Sequence, residues 1–161
     1  MNQYTADLHV HTVLSPCGDL DMSPSAIILK ATEKGIDILG LTDHNTTLHC
    51  HLVAELGKAK GIYVLPGAEV NTREEVHCLT FFEDFTKLAE FQDYLEYHLP
   101  PLKNDPLRMG YQVQVDRHDR IIYEEEKSLF TGIDQSIDQL EEKVHQLGGL
   151  FIPAHVDRSK N

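Results

Sequence analysis

The run Asp7-Leu8-His9-Val10-His11-Thr12 constrains this chain more than any other stretch. It alternates polar and apolar residues as a strand does, and successive strand side chains point to opposite faces. On that rule Asp7, His9 and His11 share one face, with Leu8 and Val10 on the other. Two imidazoles and a carboxylate on an interior face are costly unless something pairs with them. A divalent metal satisfies all three, since neutral imidazole is its commonest ligand. The competing reading is a pair of ordinary hydrogen-bonded histidines, and the His-x-His pair alone does not decide between them.

The rest of the chain supplies the context. Leu14 to Met22 reads as a loop carrying Cys17, Asp19 and Asp21. Ser23-Pro24 opens a helix, with serine as N-cap and proline at the first helical position, and Gly35 closes it. Ile36 to Thr42 is short and apolar, as a buried parallel strand should be, and it ends in Asp43-His44-Asn45. Leu48, Leu52, Leu56 and Ala59 form a second helical stripe. Ile62 to Leu65 is a strand leading into Pro66-Gly-Ala-Glu69, and Glu75 to Phe82 is another, carrying His77. Leu88, Phe91, Leu95 and Leu99 mark a third helix, closed by Pro100 and Pro101. Residues 111–115 and 121–123 flank Asp116-Arg-His-Asp-Arg120 as a hairpin arm. Ser136 and Gln139 form a capping box before a fourth helix. Leu150 to Ala154 is a last strand, followed by His155, Val156, Asp157 and Arg158.

Strands alternating with helices imply parallel βαβ units. His11, His44, Glu69 and His155 all fall at or just beyond strand ends, the edge where parallel α/β folds build their sites. Four such placements turn the argument toward metal.

Composition adds bounds. A chain of 161 residues is one domain by length, and 41% apolar with 25% charged residues is an ordinary globular balance. The net charge of −12 argues against a nucleic-acid-coating or anionic-membrane surface, yet admits phosphorylated substrates where bound cations reverse the local sign. Cys17, Cys50 and Cys78 cannot all pair internally, and no signal peptide or membrane-length apolar run is visible. The expectation is a reducing, cytoplasmic compartment with no membrane association, and homo-oligomerisation is left open.

Five motifs, Asp7-Leu-His-Val-His-Thr12, Thr42-Asp-His-Asn45, Gly67-Ala-Glu69, Glu75-Val-His77 and Pro153-Ala-His-Val-Asp157, occur in the order seen in the PHP (polymerase and histidinol phosphatase) superfamily. Over residues 4 to 158 the chain resembles that family's stand-alone bacterial phosphoesterases. The resemblance implies a distorted (β/α)7 barrel, here incomplete at its C-terminal end, with the 111–123 hairpin as an insertion. It implies two to three divalent metals: zinc, manganese or iron. By it, His9 and His11 resemble the first ligand pair, Glu69 the bridging carboxylate, His77 and His155 the completion of the second metal, and His44 a ligand to the third. Where relatives hold His or Asp, this chain has Cys17, a competent thiolate ligand favouring a softer metal. Asp19 swinging in, or a weak third site, are the alternatives. The family's late Asp-x-His motif is absent. About five or six strands belong to the main sheet, leaving an open edge that either the rest of a longer protein or a partner covers; residues 1–161 read as a single domain, and the longer protein is the favoured reading.

Other residues have blander expectations. His49 and His51 read as surface or half-buried, His98, His118 and His145 as exposed, and Cys50 and Cys78 as small buried hydrophobes. Asp7 and Asp43 are candidates to orient metal-bound imidazoles from behind. Arg73 and Arg158 are candidates to hold a substrate phosphate. The implied chemistry is hydrolysis of a small phosphomonoester or nucleotide by a metal-held hydroxide, with Glu69, His9, His11 and His44 at its centre. A nuclease-type phosphodiesterase and a degenerate metal-binding module are the alternatives.

Overall fold

A computed structural model describes residues 2–156. Its first half is a parallel βα succession. β1 (Ala6–Val10), β2 (Ile38–Leu41) and the first part of β3 (Tyr63–Asn71) run parallel, with α1 (Pro24–Lys34) and α2 (Cys50–Lys58) as crossovers. The helix signals act as read. Ser23 Oγ accepts the Ala26 N–H, Pro24 opens α1, and Gly35 at φ 66° closes it. Ile27, Ile28 and Ala31 form the buried stripe that packs on the sheet.

Midway along β3 the partner changes. Tyr63 to Pro66 pairs with β2, whereas Gly67 to Asn71 pairs antiparallel with β4 (His77–Phe81). A Cβ on Gly67 would lie 1.9 Å from the Thr80 carbonyl oxygen, so the crossing requires glycine. A tight turn joins β3 to β4: the Thr72 N–H donates to the Val76 carbonyl, the Val76 N–H to the Thr72 hydroxyl, and Glu75 takes a positive φ of 62°. So short a link admits no crossover helix, and the expectation of parallel pairing fails here for that reason. β4 also pairs antiparallel with β7 (Leu150–Pro153), giving a five-stranded sheet in the order β1-β2-β3-β4-β7. The curled sheet has the form of a half-barrel, the incomplete PHP-type barrel that the resemblance implied.

Between β4 and β7 lie α3 (Phe85–His98), a single turn α4 (Pro106–Met109), the arm β5 (Val113–Val115) and β6 (Ile121–Glu124), and α5 (Ile137–Gln146). The arm is its own two-stranded antiparallel sheet, as the sequence predicts. Asp84 and Ser136 cap α3 and α5, the latter through the capping box with Gln139. Leu39, Leu41, Val53, Val70, Phe82, Phe91, Leu95, Leu140 and Val144 join in one core, each large side chain contributing about 1.5–3 kcal/mol by burial. Cys50 and Cys78 are buried within it, as expected. Among the described residues, no helix is long and apolar enough to cross a membrane.

Candidate metal centre

Glu69 is the hub. It stands on β3 just past the stretch paired with β2, 1% exposed, with a parallel bridge to His44 at its side. Five imidazoles turn to its carboxylate. His9 Nε2 (3.1 Å), His11 Nε2 (3.2 Å) and His44 Nδ1 (3.5 Å) face Oε2, while His77 Nδ1 (2.9 Å) and His155 Nε2 (3.3 Å) face Oε1. The two oxygens therefore face different histidines, and the two sets meet at His44 and His77, whose ring centroids lie 5.5 Å apart. The rings crowd one another at centroid distances of 5.0 Å for His9–His11, 4.7 Å for His11–His44 and 5.9 Å for His77–His155.

So dense a cluster cannot be protonated throughout. Burial drives His44 down to about 4, against the pull of Glu69, so its imidazole is neutral at pH 7. Among the described residues, His44 Nδ1 is buried without a hydrogen-bond partner. For His11 burial also acts downward, but hydrogen bonds to Cys17 and Glu69 outweigh it and raise the group to about 10. Burial pushes Glu69 upward, yet the hydrogen bonds from His11, His77 and His9 hold it far below the ordinary carboxylate range. An ionised carboxylate, converging imidazoles and an orphaned lone pair form a donor set that fits divalent cations. Among the described residues, potential ligand atoms within 4.8 Å of one another occur in three groups: His9, His11 and Glu69; His44, Glu69 and His77; and His11, Cys17 and His44.

The opening strand reaches this arrangement by a route the alternation rule misses. The three steps from Asp7 to Val10 are matched by two from Leu39 to Leu41, a bulge in β1. Its effect is to put Asp7 on the face of Val10, over α1, where both line a cleft with Met22 and Ile27. His9 and His11 remain toward Glu69. The expected shared face thus holds for the two histidines and fails for Asp7, which is exposed and accepts the His9 N–H at 3.4 Å.

Asp43 is buried behind the ligands. It accepts the Thr12 N–H (2.7 Å) and the hydroxyls of Thr12 (2.8 Å) and Ser15 (2.7 Å). Because Ser15 Oγ donates to Asp43, it accepts the His44 N–H at 3.0 Å and faces His11 Nδ1 at 3.2 Å. Proton bookkeeping then places one His11 hydrogen on Nδ1, so the proton that a bound cation would displace is the one on Nε2, toward Glu69. Phe130 closes one side, its ring edge-on to His44 (5.1 Å) and His77 (6.3 Å). Asn45 and His155 adopt positive φ values of 50° and 54°, a cost that concentrates at such sites.

Other expected residues fall elsewhere. Asp19 accepts the Asp21 N–H in its own turn, and Arg73 is exposed beside Glu74 at 3.8 Å. Arg158 lies outside the described residues. His118 and His145 are exposed as expected, and His51 is exposed and stacked on Phe85 at 4.1 Å. His98 is instead half-buried and bonded to Asp134 at 2.6 Å. His49 is the larger correction: it is 3% exposed, bonded on both ring nitrogens. Thr12, Ser15, His49 and Phe130 were not legible as site residues, since neither hydroxyls nor a phenyl ring carry ligand spacing.

Known proteins share this framework. An uncharacterized protein of Methanocaldococcus jannaschii, MJ1587, is 36% identical over 100 residues, covering 56% of this chain and 58% of its own length. YqxK of Bacillus subtilis is 27% identical over 97% of this chain and 41% of its own. A phosphoribosyl 1,2-cyclic phosphate 1,2-diphosphodiesterase of Eggerthella lenta is 34% identical over 45% of this chain and 29% of its own. The chain thus spans 29 to 58% of the length of these curated relatives. Among solved structures, a protein assigned as a metal-dependent phosphoesterase from Bifidobacterium adolescentis matches with a TM-score of 0.62 at 20% identity, over 96% of this chain and 68% of that one. The lesion-specific endonuclease EndoQ of Pyrococcus furiosus matches at 0.61 and 20%, over 94% and 34%. The PHP domain profile matches residues 7–147, well over half of the sequence, and the chain belongs to the PHP-domain family.

Proposed function

We propose that this chain is a metal-dependent phosphoesterase that hydrolyses a small phosphomonoester or a nucleotide. One observation carries the reading: Glu69, buried and ionised, presents each carboxylate oxygen to a different group of histidines. In this reading His9, His11 and Glu69 hold one cation, and Glu69, His77 and His155 a second. His44 and Cys17 hold a third, with His11 at its border. Bound divalent cations supply Lewis acidity that activates water and neutralises phosphoryl charge. The chain's own residues set the geometry. Glu69 fixes the spacing of the two groups, Ser15 orients His11, and Phe130 keeps water from one flank of His44 and His77.

Zinc or manganese suits the mixed imidazole, carboxylate and thiolate set. Three free cysteines fit a reducing compartment. The phosphoester chemistry in the names of the Eggerthella, Bifidobacterium and Pyrococcus proteins supports the reaction class. The net charge of −12 favours small substrates over nucleic-acid backbone, whose binding needs basic contacts. The test is metal content by elemental analysis together with hydrolysis of an aryl phosphate and an oligonucleotide, with added manganese or zinc. Turnover of the aryl phosphate, abolished by Glu69→Gln, is expected. Undiminished turnover in that variant sinks the reading, and metal binding without turnover makes the chain a metal-binding module.

A further inference from the structure

His49 is the buried histidine that the metal centre itself does not use. It stands at the start of α2, and its ring bridges two distant parts of the chain. Its Nε2 accepts the backbone N–H of Val115, on β5 of the arm, at 3.1 Å. A backbone amide can only donate, so the ring proton sits on Nδ1, which donates to Thr12 Oγ1 at 2.7 Å. Thr12 Oγ1 in turn donates to Asp43 Oδ2 at 2.8 Å and accepts the Leu14 N–H at 3.1 Å. Asp43 Oδ1 takes the Ser15 hydroxyl, and Ser15 contacts His44 N–H and His11 Nδ1. Each hydrogen in this chain of bonds has one permitted direction: donors from the arm and from His11 and His44 converge on the Asp43 carboxylate.

The arm is docked where the relay begins. Val113 and Val115 form a small buried cluster with Val13, and the Val113 N–H reaches the Val13 carbonyl at 3.3 Å. Val13 and Thr12 directly follow His11. At the other foot of the arm, the buried Gln112 side chain accepts the Leu129 N–H and donates to the Lys127 carbonyl, both at 2.8 Å. Leu129 precedes Phe130, the ring against His44 and His77. The insertion therefore braces the centre from two sides.

We propose that His49 is a positioning residue for the metal centre, tying the β5–β6 arm through Thr12 and Asp43 to Ser15, the hydroxyl that orients His11 and His44. The inference rests on the metal-centre reading above. A histidine that merely fills the core contributes stability alone. A positioning histidine sets cation affinity without touching the cation, typically by about 10- to 100-fold.

The experiment measures zinc affinity by competition with a chromophoric chelator for the wild-type chain, His49→Leu, His49→Gln and Val144→Ala. Leucine removes both bonds. The glutamine amide offers a donor and an acceptor at nearly the spacing of the two ring nitrogens. Val144 is a core residue on α5 and controls for lost stability. The expected result is an affinity about 10- to 100-fold weaker in His49→Leu, restored by glutamine and unchanged in Val144→Ala. Wild-type affinity in His49→Leu overturns the proposal. So does failure of glutamine to restore binding, or an equal loss in Val144→Ala. No zinc binding by the wild-type chain overturns the metal-centre reading instead. Should His49→Leu fail to fold, Thr12→Val breaks the same relay one bond further on and carries the same comparison.

Discussion

Replacing Glu69 by glutamine removes the carboxylate to which five imidazoles turn, while keeping its shape. In the metal-free protein the cost can be worked from His11. A rise from 6.5 to about 10 corresponds, at about 1.4 kcal/mol per pH unit, to roughly 5 kcal/mol of favourable interaction. Cys17 contributes more of that interaction than Glu69, so glutamine forfeits the smaller share, about 2 kcal/mol, a cost of leaving one side of a buried charged pair without its partner. For a chain of 161 residues, that lowers the melting temperature by roughly 4–8 °C near pH 6. The metal-loaded comparison is sharper, because glutamine bridges two cations poorly and the melting increment from added zinc should largely vanish. Differential scanning fluorimetry with and without zinc measures both effects. A Glu69→Gln protein that melts at the wild-type temperature, and gains the same increment from zinc, refutes the reasoning about the hub.

Further outcomes follow from neighbouring groups. The stability of the metal-free chain should peak at about pH 5–7. His11 is raised to about 10, so its contribution is complete below 6.5 and fades as pH climbs toward 10; Glu69 is depressed, so its contribution is lost as pH falls below 4.5; and His44, lowered to about 4, withdraws stability as pH falls below 6.5. Chemical denaturation across pH checks this, and a peak at pH 9 or above contradicts it. Because zinc displaces the His11 proton, the zinc increment in melting temperature should grow from pH 6 to 8. Cys17→Ser should abolish the near-ultraviolet thiolate absorption of the cobalt-loaded protein while leaving cobalt on Glu69, His77 and His155; a spectrum identical to wild type removes Cys17 from the centre. Gly18→Ala places a Cβ 2.2 Å from the Thr12 carbonyl, so the loop must shift at a cost of about 1–3 kcal/mol, and the same cobalt absorption should weaken.

Much of this arrangement is local and therefore legible in the sequence. Ser23-Pro24 with Gly35, the Ser136–Gln139 capping box and the apolar stripes specify their helices through contacts within a few residues. The ligand types are legible for the same kind of reason, since His9, His11, His44, Glu69 and His77 are marked by strand-end positions and short motifs. What tertiary structure alone decided are features that depend on distant partners. The β1 bulge, which sends Asp7 to the α1 face, exists only through the register of β1 against β2. The reversal of β4 depends on the turn at Thr72–Val76 and on Gly67 crossing Thr80. His49 looks like a surface histidine in its own helix, and is buried because Val115, sixty-six residues away, docks an arm over it. Sequence alone determined which side chains are candidates to bind. Packing across the chain decided which face each one meets, and which uncharged residues hold it there, because registers, bulges and buried hydrogen bonds are properties of pairs that the sequence keeps apart.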